Sequence, residues 1–209
     1  MATEFDRVIN CGLFRGKRRL IINEQFLFFE RNAIAVNPEQ AFGKQDITGY
    51  NYELQWIRFE LPFGRRYVIR VKNADNKVLS IKITRYFKIG TDTAHKEFNE
   101  ILSAIRSCFF DYVIDRYLEQ HNTHQDFNVE TINFTKDGIT LPTEFKLAQP
   151  VFLPWEDIRT KNYYSYFTIY SASDPGNKYF TFSYANDWNT DMVYSVLRTI
   201  LRNKNIEIY

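Results

Sequence analysis

Four cations crowd one glycine near the start of the chain: Arg15, Lys17, Arg18 and Arg19 flank Gly16. A glycine inside a polar run between two apolar stretches reads as a turn joining strands. Arginine offers a planar fork of donors and lysine a compact point charge, and both suit the oxygens of a phosphate group. A second pair, Arg65 and Arg66, follows Pro62-Phe-Gly at another turn, with Phe63 beside it. These six residues offer noncovalent capture of a phosphate or an anionic lipid headgroup, although the same charges would also make an ordinary solvated face. Trp56, Phe59 and Phe63 form an aromatic set in one extended arm. Aromatics gathered at a surface mark a contact with another protein, whereas in a small barrel they fill the interior.

Other chemistries find little support. The histidines are His95, His121 and His124. The last two are three apart, a spacing compatible with a helical metal pair, but they fall in a polar link with only Asp126 near and read as a solvated helix end. There is no Gly-rich phosphate loop and no Gly-x-Ser-x-Gly elbow. Asp46 and Asp157 occupy matching places in two similar stretches, which suits strand-initiating carboxylates better than catalysts. The expectation is therefore a protein without catalytic residues, metal or cofactor. Cys11 and Cys108 have no companions at ligand spacing and read as free thiols in a reducing compartment.

The elements that position these residues come in two similar series. Lys44-Gln-Asp-Ile47 answers Trp155-Glu-Asp-Ile158, and Tyr67 to Val71 answers Tyr166 to Tyr170. Asn76-Lys77 answers Asn177-Lys178, each opening a period-two strand. Phe98, Ile101, Leu102 and Ile105 share the spacing of Val193, Val196, Leu197 and Ile200. Self-similarity of this kind points to two like units. In the first, Tyr50, Tyr52, Leu54 and Trp56 alternate, and then Ile57, Phe59 and Leu61 alternate on the opposite parity, which requires a bulge near Trp56-Ile57. The apolar stripe from Phe98 predicts one long helix from about Thr91 to Gln120, capped by Thr91 or Thr93. Its later apolar set, Phe110, Ile114 and Leu118, should be buried against the second domain or a partner subunit.

This succession resembles the pleckstrin-homology-like fold, and its bacterial PH and GRAM-type members most nearly. The features that carry the likeness are antiparallel strands, an Asp-Ile step after a Pro-Trp or similar lead-in, a long hairpin and one closing helix. Gly16-Lys-Arg-Arg-Leu-Ile-Ile is similar to the early strand pair of that fold. The resemblance implies an α+β protein of two PH-like antiparallel barrel or bent-sheet domains, each closed by a C-terminal helix. The first would span residues 1–121 and the second residues 127–209. It also implies that cations on the first strand pair seat a lipid phosphate in those members that bind lipids.

Charge narrows the partners. Residues 1–120 carry 19 Lys/Arg against 15 Asp/Glu, and residues 121–209 carry 8 against 10. An anionic partner should therefore prefer the first series, yet the excess is too small for a nucleic-acid footprint. No apolar run approaches the ~20 residues of a membrane span, and the N-terminus has no basic segment followed by an apolar core, so the expected compartment is the cytoplasm. The functional expectation is a non-enzymatic protein-interaction or scaffolding module, binding another protein or a second copy of itself. The alternative is anionic-lipid or phosphate-headgroup binding at a membrane surface through Arg15 to Arg19.

Overall fold

The computed structural model describes residues 4–13, 15–30, 39–58, 60, 62–87, 89–142 and 149–206. The protein is mixed α+β, and the chain divides into two compact units, Met1–Asp111 and Tyr112–Tyr209. In the first, β1 (Phe5–Asn10), β2 (Lys17–Ile22), β3 (Phe26–Glu30) and β4 (Glu39–Gly43) form one antiparallel meander. A single 3-10 turn, Lys44–Asp46, leads into a second meander of β5 (Ile47–Arg58), β6 (Pro62–Asn73) and β7 (Val78–Tyr86), followed by α1 (Thr91–Phe109). The second unit begins within α2 (Asp111–Asn122). It then runs through β8 (Phe127–Val129), β9 (Ile132–Phe134), β10 (Gly138–Leu141) and β11 (Val151–Pro154). Another 3-10 turn, Trp155–Asp157, precedes β12 (Ile158–Asn162), β13 (Tyr166–Ser171), β14 (Tyr179–Ser183) and α3 (Thr190–Asn203). The four sheets are separate antiparallel sheets, and among the described residues none closes into the expected barrel.

Local order is the same in both units. After the 3-10 turn, the backbone N–H of Ala74 donates to Asp46 O at 2.8 Å and that of Ala172 to Asp157 O at 2.7 Å. Each closing helix is entered through a left-handed residue, Gly90 (φ 66°) in one and Asn189 (φ 56°) in the other. That entry replaces the threonine cap expected from the sequence. Gly90 is the N-cap of α1 and makes no side-chain bond, while Thr91 is already helical.

The first core is built from strand alternation. Tyr67, Ile69 and Val71 on β6 and Leu79, Ile81 and Ile83 on β7 are buried, facing Phe98, Ile101 and Ile105 of α1. Tyr67 and Tyr52 approach the Phe98 ring at 5.3 and 6.1 Å. Full burial of a side chain of this size is worth about 1.5–3 kcal/mol, so the inward set carries most of the fold. In the second unit Phe134, Trp155, Phe167 and Phe182 are buried, together with Val193, Val196, Leu197 and Ile200 of α3. The expected bulge falls one step late, as a register shift between Ile57 and Arg58, and a second shift lies between Ile47 and Gly49.

The single long helix is corrected to two. Phe110 leaves helical geometry (φ −124°, ψ −26°), and its ring packs on Tyr50 at 4.6 Å. Arg106 Nε donates to Asp111 Oδ1 at 3.0 Å across the break. Seating Phe110 in the first core turns the chain out of the helix, which is why the apolar stripe changes face there. Phe110 and Ile114 are buried and Leu118 is half-buried. His121 also departs from the solvated reading. Its ring meets Trp155 edge-on at 5.2 Å, and burial, followed by the Lys204 charge, holds its pKa below the usual value.

Candidate anionic-surface site

The β1–β2 hairpin is shaped by its glycines. Gly12 (φ 116°) and Gly16 (φ 69°) adopt left-handed geometry that disfavours side chains. The N–H groups of Arg15 and Gly16 both donate to Gly12 O, at 3.0 and 3.1 Å. A Cβ on Gly12 would lie 2.8 Å from Thr84 O, so the hairpin presses directly on β7. There Thr84 N–H donates to Cys11 O at 3.1 Å, and Arg85 Nη1 donates to Asn10 O and Thr84 O, each at 2.9 Å. This docking brings the first cationic turn against β7 of the β5–β6–β7 sheet, on the face that carries Thr84.

Register then fixes the neighbours on that face. Arg66 lies between Gln55 and Thr84, Val68 between Glu53 and Lys82, and Arg70 between Asn51 and Ser80. Glu53 is paired with Arg70 at 2.7 Å. Burial pushes the Glu53 carboxyl upward, but hydrogen bonds from Arg70 and Gln55 and the charges of Arg70 and Arg66 outweigh it and hold the pKa down. Lys82 is depressed first by burial and then by Arg15, Arg70 and Arg66. The face is thus electropositive, with Glu53 already committed to one arginine.

Two adjoining cavities open at this junction. The smaller, about 160 Å³, is lined by Cys11, Arg15, Arg66, Thr84 and Tyr86 among others. The larger, about 480 Å³, has Lys17, Leu13, Tyr86, Phe87 and Ile89 in its wall. Leu13, Phe87 and Ile89 are 80%, 72% and 75% exposed, an unusual cost for three large apolar side chains gathered around one opening.

The six sequence-predicted cations separate by role. Arg15 and Arg66 meet at the smaller cavity and Lys17 reaches the larger. Arg18 Nε donates to Arg15 O at 2.9 Å. Arg19 is committed to Asp6 through two bonds of 3.1 and 2.9 Å, which lower the aspartate pKa and raise that of arginine. Arg65 lies over Trp56, 4.3 Å from the ring centroid, away from the cluster. Of the aromatic candidates, Trp56 is 47% exposed. Phe63 is half-buried and stacks on Tyr86 at 6.0 Å. Phe59 lies outside the described residues. Lys82 and the apolar trio escaped sequence reasoning. A signal for the trio existed in Leu13, set among arginines, and in Phe87-Lys-Ile89, which alternates apolar and basic residues just before a helix.

Among the described residues, no group of three or more His, Cys, Asp or Glu is placed to hold a metal ion, and no helix is long and apolar enough to cross a membrane. Comparison with known protein families and with curated proteins finds no match.

Proposed function

We propose that the protein is a non-enzymatic docking module, with pleckstrin-homology-like architecture in both units, that applies the tip of its first unit to an anionic membrane surface. The reading places it on the cytoplasmic leaflet, where anionic lipids attract cations by about 1 kcal/mol per Lys or Arg. The observation that carries it is the junction of Arg15, Lys17 and Arg66 with exposed Leu13, Phe87 and Ile89 around adjoining cavities. Cations alone would suit any polyanion, and apolar side chains alone any apolar partner. Their combination at one tip matches an interface that is charged at its surface and apolar beneath.

Co-sedimentation of the full chain with phosphatidylcholine vesicles, with and without phosphatidylserine, tests this reading. Binding should require the anionic lipid and should weaken between 0.1 M and 1 M salt, as the Debye length falls from about 10 to about 3 Å. Equal binding to neutral vesicles, or none to anionic ones, contradicts it. A second reading, docking of a protein partner, is favoured by the exposed tyrosines 163, 164 and 166 at the β12–β13 turn, where Tyr163 and Tyr166 stack at 4.6 Å. Self-association that is lost in Tyr164→Ser would support that second reading.

A further inference from the structure

We propose that the second unit carries a short stacking platform for single-stranded nucleic acid, on the face of its β12–β13–β14 sheet that points away from the core. This activity goes beyond the docking of the first unit's tip and uses none of the same residues.

Register fixes the face. Ile158 and Thr160 of β12, Phe167 and Ile169 of β13 and Phe182 of β14 are buried, so the alternate positions of each strand point the other way. Arg159, Tyr170 and Tyr179 form one cross-strand row there, and Lys161, Thr168 and Thr181 form the next. Tyr166 follows, where the chain turns with Tyr163 N–H donating to Tyr166 O at 2.8 Å. That turn stacks the two exposed rings at 4.6 Å, and Lys161 Nζ lies 5.3 Å from the Tyr163 centroid.

Three observations identify the occupant. The first is aromatic spacing. Tyr163 with Tyr166 and Tyr170 with Tyr179 make two ring pairs, and Tyr166 and Tyr170 are four residues apart on one strand, about 13 Å. Splayed bases of any identity stack on such rings. The second is charge. Lys161 stands in the row between the pairs and Arg159 beside the second pair, and these rows, among the described residues, contain no carboxylate. At the margin Asp187 is occupied by the Ser183 N–H at 2.8 Å. A sugar–phosphate backbone strung between the ring pairs therefore passes cations. The third is polarity. The Thr168 and Thr181 hydroxyls, bonded to each other at 3.2 Å, and the phenols around them suit base edges and sugars better than lipid chains. A second copy fits poorly, because an isologous contact would set one cationic face against another.

The chain's small charge excess excludes a long phosphate footprint, but a few bases held by stacking need none. The consequence is a shallow salt dependence. With one or two phosphates neutralised, log affinity should fall against log salt with a slope of about −0.7 to −1.4.

The test is fluorescence anisotropy of the full chain with a labelled oligothymidylate, an oligouridylate, and a DNA duplex of the same length. Both single strands should bind saturably, the tighter one assigning the preferred sugar. The duplex, whose base faces are covered, should bind at least about tenfold more weakly. Tyr166→Ala should weaken single-strand binding roughly five- to hundredfold, the worth of one stacked base, while Tyr166→Phe keeps the ring and should stay within about twofold. Tyr112→Ala, at an exposed tyrosine of α2, should bind like the parent. Should Tyr166→Ala fail to fold, Lys161→Gln alters an exposed side chain and should make the salt slope shallower by about 0.7. Absence of saturable single-strand binding, a duplex bound as tightly, an affinity unchanged in folded Tyr166→Ala, or a slope unchanged in Lys161→Gln overturns the platform. Self-association abolished by Tyr166→Ala, in a protein that binds no oligonucleotide, gives the face to a second copy and overturns it as well. Vesicle binding should be the same in Tyr166→Ala as in the parent, and its loss would place these tyrosines on the membrane instead.

Discussion

Replacing Leu13, Phe87 and Ile89 together by serine should release the protein from anionic vesicles while leaving its fold intact. Full burial of each parent side chain is worth about 1.5–3 kcal/mol. With exposures of 80%, 72% and 75%, roughly three-quarters of that remains unspent in the free protein. Insertion of the trio therefore contributes about 3–6 kcal/mol, and its loss lowers partitioning by roughly two to four powers of ten. By comparison, Arg15→Gln with Lys17→Gln removes about 2 kcal/mol of surface attraction, a factor nearer thirty. The two variants should also differ in kind. The serine variant keeps the parent's relative salt sensitivity, while the glutamine variant loses part of it. Because the trio is exposed, the stability of the serine variant in urea should stay within about 0.5 kcal/mol of the parent per site. Co-sedimentation across a range of lipid concentrations reads the partition coefficient, and urea denaturation checks the fold. A folded serine variant that partitions like its parent would refute the insertion argument.

Other consequences follow from the framework around the site. Asp157 accepts from Ser171 Oγ at 2.5 Å and from Ser173 N–H and Oγ at 2.8 and 3.1 Å; burial raises its pKa, but these bonds and Lys178 outweigh it and hold the group below its usual value. Its stabilisation is thus present above the unfolded pKa near 3.9 and lost as pH falls through the lower folded value. Asp157→Asn should cost about 1–2 kcal/mol at pH 7 in urea denaturation, with the gap to the parent closing below about pH 4. Gly138→Ala would place a Cβ 2.1 Å from Leu153 O across the β10–β11 pair, and it should lower the melting point by the equivalent of about 3 kcal/mol or more, whereas Gly176→Ala meets nothing within 4 Å and should leave melting unchanged. The Cys11 thiol is pushed up to about 11, chiefly by burial, and Cys108 is raised for the same first reason. Both should resist a disulfide reagent at pH 8 and react only on unfolding, and rapid modification of the native protein would contradict that burial.

The strands that follow the Asp-Ile steps at Asp46 and Asp157, and their inward-facing residues, were legible because period-two alternation is a local signal, whereas β4 and β8 to β11, short strands without such a lead-in, were not. The 3-10 turns stand at those steps, and the stripes from Phe98 and Val193 face their cores as the spacing requires. The break at Phe110 was not legible. A stripe that changes face reads alike in a continuous helix and in two joined ones, and the choice is made by the packing of Phe110 on Tyr50, 60 positions away in the chain. The threonine caps failed because left-handed Gly90 had already turned the chain. At the site, residue types were visible but pairings were not. Arg19 is withdrawn by Asp6 through the β1–β2 pairing, while Arg15 and Arg66 meet only because Cys11 and Thr84 join the two sheets. Lys82 looked like an ordinary polar position of a half-buried strand, since its role depends on what docks over it.

A spin label at Ile89→Cys, read for depth on phosphatidylserine-containing vesicles, tests the docking of this tip most directly. Buried Cys11 and Cys108 leave the new thiol as the accessible target. A matching label at Lys77→Cys, on the exposed β6–β7 turn, sits at the far end of a hairpin whose pairing runs from Gly64 to Lys72, some 25 Å along the strand. The Ile89 label should lose contact with a water-soluble relaxer and gain contact with oxygen at the headgroup–acyl boundary, while the Lys77 label stays in water. An Ile89 label that remains as water-accessible on vesicles as in solution, with the protein bound, would contradict the account.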